Sequence, residues 1–149
     1  MPFAAAALAL SLFAGHADRL EHHRYAVGEW RLAVTKDSFA RSTTCRLTTH
    51  DARIQHGRLV WRLGASVDTS GAVWRIDEGE PRHQALRDLP VSANLANPSD
   101  GRLVAPVSLL TGARVIETRP SPHAHVRRLS LARLDEALAA AAVQGCAPL

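Results

Sequence analysis

Lysine is almost missing from this chain: Lys36 is the only one among eighteen basic residues, and the others are arginine. No run of like charges is long enough to act as a nucleic-acid arm. There is no G-x-S-x-G elbow, which removes the common serine-hydrolase arrangement. P-loop and dinucleotide-type glycine patterns are also missing, and with them the usual phosphate cradles. The main apolar run, Phe3 to Ala14, is too short to span a bilayer. Cysteine is limited to Cys45 and Cys146, which leaves little for a thiolate metal site.

What is present describes a globular chain. Hydrophobic residues make up 46% and charged residues 21%, a balance that excludes disorder. The 149 residues amount to roughly one ordinary domain, large enough for a core. Phe3 to Ala14 has the length of a signal-peptide core, and Gly15-His16-Ala17 offers small residues for cleavage before Asp18. No basic residue precedes that run, so the other reading is an ordinary N-terminal helix packed on the domain. With residues 1–17 as signal peptide, the domain plan is a flexible polar lead-in over 18–28 and a single β-rich domain over 29–149.

Strand signals dominate that domain. Trp30, Leu32 and Val34 alternate with Arg31, Ala33 and Thr35, the period of a half-buried strand. A turn over Lys36 to Ser42 follows, with Phe39 expected to fold back onto the sheet, then a strand over Thr43 to Thr49 carrying Cys45 and Leu47 on one face. Leu59, Trp61 and Leu63 alternate after a turn at Gly57; Ala72, Trp74 and Ile76 alternate after Asp68-Thr69-Ser70-Gly71. Four such strands predict an antiparallel meander. Arg82 to Asp88 reads as a short strand or a helical turn, and Leu89 to Asp100 as loop. Arg102 to Val107 reads as a strand near a sheet edge, because Pro106 lacks an amide donor. Ala113 to Arg119 and His125 to Leu129 read as the last strands.

One helix closes the chain. Ser130 is its expected N-cap, Leu129 and Leu134 a hydrophobic staple, and Gly145 its left-handed stop. Leu131, Leu134, Leu138, Ala141 and Ala142 share one side at helical spacing. Cys146 comes directly after the stop. Behind an export signal, Cys45 and Cys146 read as one disulfide tying the helix end to the first hairpin; two buried free thiols are the alternative. Closing a loop of about 100 residues is worth up to about 4.7 kcal/mol in the chain-entropy account. The fold class is therefore mainly β, an antiparallel sandwich or curved sheet with one C-terminal α-helix packed on it.

Candidate chemistry is sparse. His22-His23, His50, His56, His83, His123 and His125 offer metal-ligating nitrogens, but the pairs sit in the lead-in and in a proline-flanked loop, so no metal or other cofactor is assigned. Asp37, Asp68, Asp77, Glu78 and Glu80 fall mainly at turns, where acids serve the turn itself. Trp30, Trp61 and Trp74 share faces with aliphatic residues and read as core. No catalytic residue is assigned. The opposite strand faces carry Arg31, Arg46, Arg58, Arg62 and Arg75, which adjacent strands would assemble into a basic patch. Such a patch suits an acidic protein, a glycan or an anionic lipid surface; the other reading is a solvated sheet face. Nucleic acid is not expected, since that face lacks aromatics for base stacking and the chain lacks a recognition helix.

The strand with Trp30, the strand with Cys45, the late Gly112–Arg119 stretch G-A-R-V-I-E-T-R and the closing Leu129–Leu138 stretch L-S-L-A-R-L-D-E-A-L together resemble the small exported bacterial proteins of the invasion-associated locus B type. Ser130-Leu131 and Ala137-Leu138 carry the likeness at the end of the chain. The resemblance implies a β-sandwich-like periplasmic or surface protein without catalytic residues. Relatives of that type often have more cysteines than the two here. The functional expectation is an exported, non-enzymatic binding protein. The competing one is a small envelope enzyme or enzyme inhibitor acting through the 82–102 loop.

Overall fold

The computed structural model describes residues 19–83, 101–146 and 149. The expected signal peptide, residues 1–17, and positions 84–100 of the 82–102 loop lie outside them. In chain order the strands are β1 (Leu20–Val27), β2 (Trp30–Asp37), β3 (Ser42–Thr48), β4 (Ala52–Gln55) and β5 (Arg58–Arg62). They continue with β6 (Val73–Ile76), β7 (Arg82–His83), β8 (Arg102–Pro106), β9 (Val115–Arg119) and β10 (Arg127–Ser130), and α1 (Leu134–Val143) closes the chain. All strand pairs are antiparallel, in a six-stranded sheet ordered β1-β2-β3-β4-β5-β8 and a four-stranded sheet ordered β10-β9-β6-β7. The mainly β fold with one C-terminal helix is as the hydrophobic alternation predicts.

The alternation has a direct physical outcome. Trp30, Leu32 and Val34 are buried, and the register places Leu32 beside Leu47, Leu47 beside Ile54, Ile54 beside Leu59 and Leu59 beside Ala105. This row runs across the inner face of the large sheet. Each leucine and the isoleucine of this row contributes about 1.5–3 kcal/mol. The small sheet joins the same core through Trp74 and Ile116. Trp61 and Trp74 meet edge to face with ring centroids 5.5 Å apart, and Trp61 Nε1 donates to Thr118 Oγ1 at 3.0 Å. Trp30 Nε1 donates to the Ala132 carbonyl at 3.1 Å, fixing the approach to α1. All three tryptophans are buried, as their strand neighbours predict.

Four expectations need correction. Residues 20–27 are not a flexible lead-in; they form β1, with all eight residues in register with β2. Their polarity is that of an edge strand whose inner positions, Tyr25 and Val27, meet Leu32 and Trp30. Phe39 is 77% exposed rather than folded back, because Asp37 Oδ1 accepts from the Phe39 and Ala40 amides and holds the hairpin tip away from the sheet. The meander also ends earlier than predicted. β4, too short to stand out in the sequence, completes it with β5, and β6 then leaves to pair with β9 in the other sheet. The place beside β5 goes to β8, with Pro106 at the sheet edge as its missing donor requires.

The fourth correction is the helix start. Ser130 ends β10, and its hydroxyl accepts from the Ala132 amide at 3.2 Å. The Leu131 amide is already bonded to the Arg114 carbonyl, so the ladder outlasts Ser130 and the helix waits until Leu134, after Arg133 at φ +60°. Within α1 the buried residues are Leu134, Ala137 and Ala141; Leu138 is only half-buried and Ala142 is exposed. The stop is as expected. Gly145 sits at φ +83°, its amide reaches the Ala142 carbonyl, and the Cys146 amide reaches that of Ala141. That turn aims Cys146 at β3. The Cys45–Cys146 disulfide forms, with Cα atoms 5.7 Å apart.

Candidate anion-binding face

The same alternation that buries the tryptophans turns arginines outward. On the large sheet the outer positions are Arg24 of β1, Arg31 of β2, Arg46 of β3, Arg53 of β4, Arg58 and Arg62 of β5 and Arg102 of β8. Every strand contributes at least one. Register sorts them into rows. One row runs Arg24–Ala33–Arg46, and its neighbour runs Ala26–Arg31–Thr48–Arg53–Val60–Val104. Arg62 lies directly opposite Arg102.

Carboxylates are scarce on this face. Asp37 is the only acidic residue at its outer strand positions, and its carboxylate is engaged by the hairpin-tip amides. Asp51, in the turn before β4, lies 3.6 Å from His50. Among the described residues no carboxylate pairs with Arg24, Arg31, Arg46, Arg53 or Arg62. Arg31 donates to the Gly28 and Trp30 carbonyls, which orients its guanidinium along the sheet without neutralising it. A shallow recess of about 250 Å³ opens where Arg53, Arg62 and Arg102 line the surface around Val60, with Thr48, His50 and the carboxylate-bearing Asp51 at its margin. Val60 and Val104 are only 7% and 6% exposed although they point outward. Burial of that kind suits aliphatic residues set among long arginine stems.

Of the five predicted face residues, Arg31, Arg46, Arg58 and Arg62 share the outer face of the large sheet. Arg75 does not. It lies on the small sheet, where register places it beside Glu117, with Arg128 on the far side. Arg75 Nη2 and Nε donate to Glu117 Oε2 at 2.6 and 2.7 Å, and Arg128 Nε donates to Oε1 at 2.9 Å. The Arg75 hydrogen bond, with Arg128 adding to it, holds the Glu117 carboxyl below its ordinary value against the opposing effect of desolvation. Arg75 is therefore part of an ion-pair ladder in which one carboxylate is shared by two guanidiniums. The chain crosses from β5 to β6 through residues 63–72, a change of sheet that alternation alone does not reveal.

Three arginines escaped the sequence reading. Arg53 was missed because β4 is short, although Ala52 and Ile54 on either side of it are the signal. Arg24 was missed because β1 looks polar throughout. Arg102 could be assigned only once β8 was known to flank β5. The histidines do not gather: His22 bonds Thr35, His23 lies near Glu21, and His50 is beside Asp51. Among the described residues no three His, Cys, Asp or Glu side chains converge on one point. No described helix is long and apolar enough to cross a membrane.

Fold and face together define a disulfide-linked, two-sheet β-protein with a basic outer face on its larger sheet. No protein-family model, no curated protein and no solved structure matches the chain.

Proposed function

We propose that this protein is an exported, non-enzymatic binding module of the periplasm or cell surface whose large-sheet arginine face takes an anionic partner. The observation that carries this reading is the outer face itself, where Arg24, Arg31, Arg46, Arg53 and Arg62 stand on five adjacent strands with no carboxylate partner among the described residues. Like charges gathered on one face repel one another, and a face of one sign suits a partner of the other. Arginine rather than lysine suits that role, because its planar fork grips carboxylate, sulfate or phosphate through paired hydrogen bonds. The Cys45–Cys146 disulfide supports export, since such bonds persist outside the reducing cytosol. The likeness to invasion-associated locus B type proteins is in keeping with that compartment.

The test is recovery of partners from an envelope extract by the full chain and by Arg53→Glu/Arg62→Glu. The wild-type protein should hold an acidic partner that elevated salt releases, since screening shortens to about 3 Å at 1 M. The double variant should not hold it. A partner held equally by both proteins would show that binding lies elsewhere.

A further inference from the structure

The arginines of the large sheet are ordered as well as numerous. Along the direction that crosses the strands, they alternate between two adjacent rows: Arg24 in the first, Arg31 in the second, Arg46 in the first, Arg53 in the second. Arg58 of β5 continues the pattern two residues before Val60, which itself pairs with Arg53. The result is a zigzag track. With strands about 4.8 Å apart, a ligand lying across the sheet meets a guanidinium at about that interval and one on the same side every ~10 Å. From Arg24 on β1 to Arg58 on β5 the track covers about 19 Å.

Between the arginines stand short side chains. Ala26 and Ala33 leave troughs, while Thr35, Thr44, Thr48 and Gln55 supply hydroxyl and amide groups at the same level. Thr35 and Thr48 are half-buried and already orient their hydroxyls, Thr35 toward His22 and Thr48 toward the Arg31 carbonyl. At the β5–β8 end the track runs into the recess around Val60.

Resting on the reading of this face as an anion-binding surface, we propose that its ligand is a linear acidic polysaccharide lying across the strands. Its carboxylate or sulfate groups would meet Arg24, Arg31, Arg46 and Arg53 in turn, and its hydroxyls would bond the neighbouring threonines and Gln55. A small anion uses only one or two of these positions, so the length of the track calls for a polymer. A membrane surface is a poorer fit. The described outer strand positions present no exposed aromatic, and their one large exposed hydrophobic, Leu20, lies at a corner. Nucleic acid is a poorer fit for want of stacking platforms on the same face.

The test is titration calorimetry of the full chain with polygalacturonate oligomers of graded length. Inorganic sulfate, double-stranded DNA and phosphatidylcholine–phosphatidylglycerol vesicles are run beside them. Affinity should rise with oligomer length and level off once the oligomer spans the sheet, and it should exceed that for the other three probes. Arg31→Ser/Arg53→Ser should weaken binding about tenfold, ~1.4 kcal/mol, whereas Arg119→Ser on the small sheet should leave it unchanged. Should the serine variant fail to fold, Arg31→Lys/Arg53→Lys keeps the charge and loses the forked donors, and should still weaken binding. Affinity independent of length, or stronger for DNA or vesicles and lost in the same variants, overturns the polysaccharide assignment and leaves the anion-binding face standing. Binding to no probe, or unchanged binding by every variant, overturns both.

Discussion

Two rows of three residues, one on each sheet, share a geometry and differ at the centre. On the small sheet the row is Arg75–Glu117–Arg128; on the large sheet it is Arg31–Thr48–Arg53. In both, three adjacent strands present their side chains outward and two arginines flank a central residue. Glu117 draws its neighbours into contacts of 2.6 to 2.9 Å, and its side chain is only 12% exposed. Thr48 cannot do this; its hydroxyl bonds the Arg31 carbonyl, and among the described residues neither guanidinium has a carboxylate partner. An outward arginine thus carries no meaning by itself. What separates a structural ion-pair ladder from a surface available to an outside anion is the residue across the strand.

That contrast can be tested by separating the scaffold from the faces. Removing the bond with Cys45→Ala/Cys146→Ala should have the largest effect, about 2–5 kcal/mol of stability measured by urea denaturation. Anion binding should persist wherever the protein is still folded, since Cys45 lies on the buried face of β3, opposite the outward arginines. Next is the join between the sheets. Thr118→Val strands the buried Trp61 Nε1–H and should cost about 1–3 kcal/mol in the same assay. A value near zero would mean that the two sheets do not depend on that bond.

Smaller in stability, though decisive for binding, is Thr48→Glu. It rebuilds on the large sheet the row found on the small one, so it should alter stability by about 1 kcal/mol or less. Retention on an immobilised polyanion should fall sharply. Full retention would break the comparison. The reciprocal change, Glu117→Thr, should lower the melting temperature and add polyanion retention through Arg75 and Arg128, visible even when Arg31 and Arg53 are replaced. The least effect is the acid response. Glu117 has a folded pKa below its ordinary 4.5, so its contribution is fully present at neutral pH and is lost as pH falls through that lowered value. The melting temperatures of wild type and Glu117→Gln should therefore differ at neutral pH and converge in acid.

How far the sequence foretold these features depended on distance along the chain. β2, β5 and β9 announce themselves by alternation, because every second side chain is apolar and is buried in the core. Gly145 and Cys146 announce the end of α1 and its tether, because a left-handed stop is a local conformational demand. β1 and β4 do not stand out. β1 is an edge strand with few apolar positions, and β4 has only Ala52 and Ile54 to mark it. Ser130 looked like a cap because its hydroxyl does bond a nearby amide, yet the Leu131–Arg114 bond keeps the chain in the sheet. The loop behind the competing enzyme or inhibitor reading lies largely outside the described residues.

The order of residues alone determined that this chain would be a β-protein closed by one helix, with tryptophans inside and arginines outside. Those properties follow from side-chain period and turn chemistry, which act over a few residues. Tertiary structure alone decided which arginines would face solvent together. Strand partners are chosen by long-range packing, and that choice set Arg75 against Glu117 while gathering Arg24, Arg53 and Arg102 onto the other sheet.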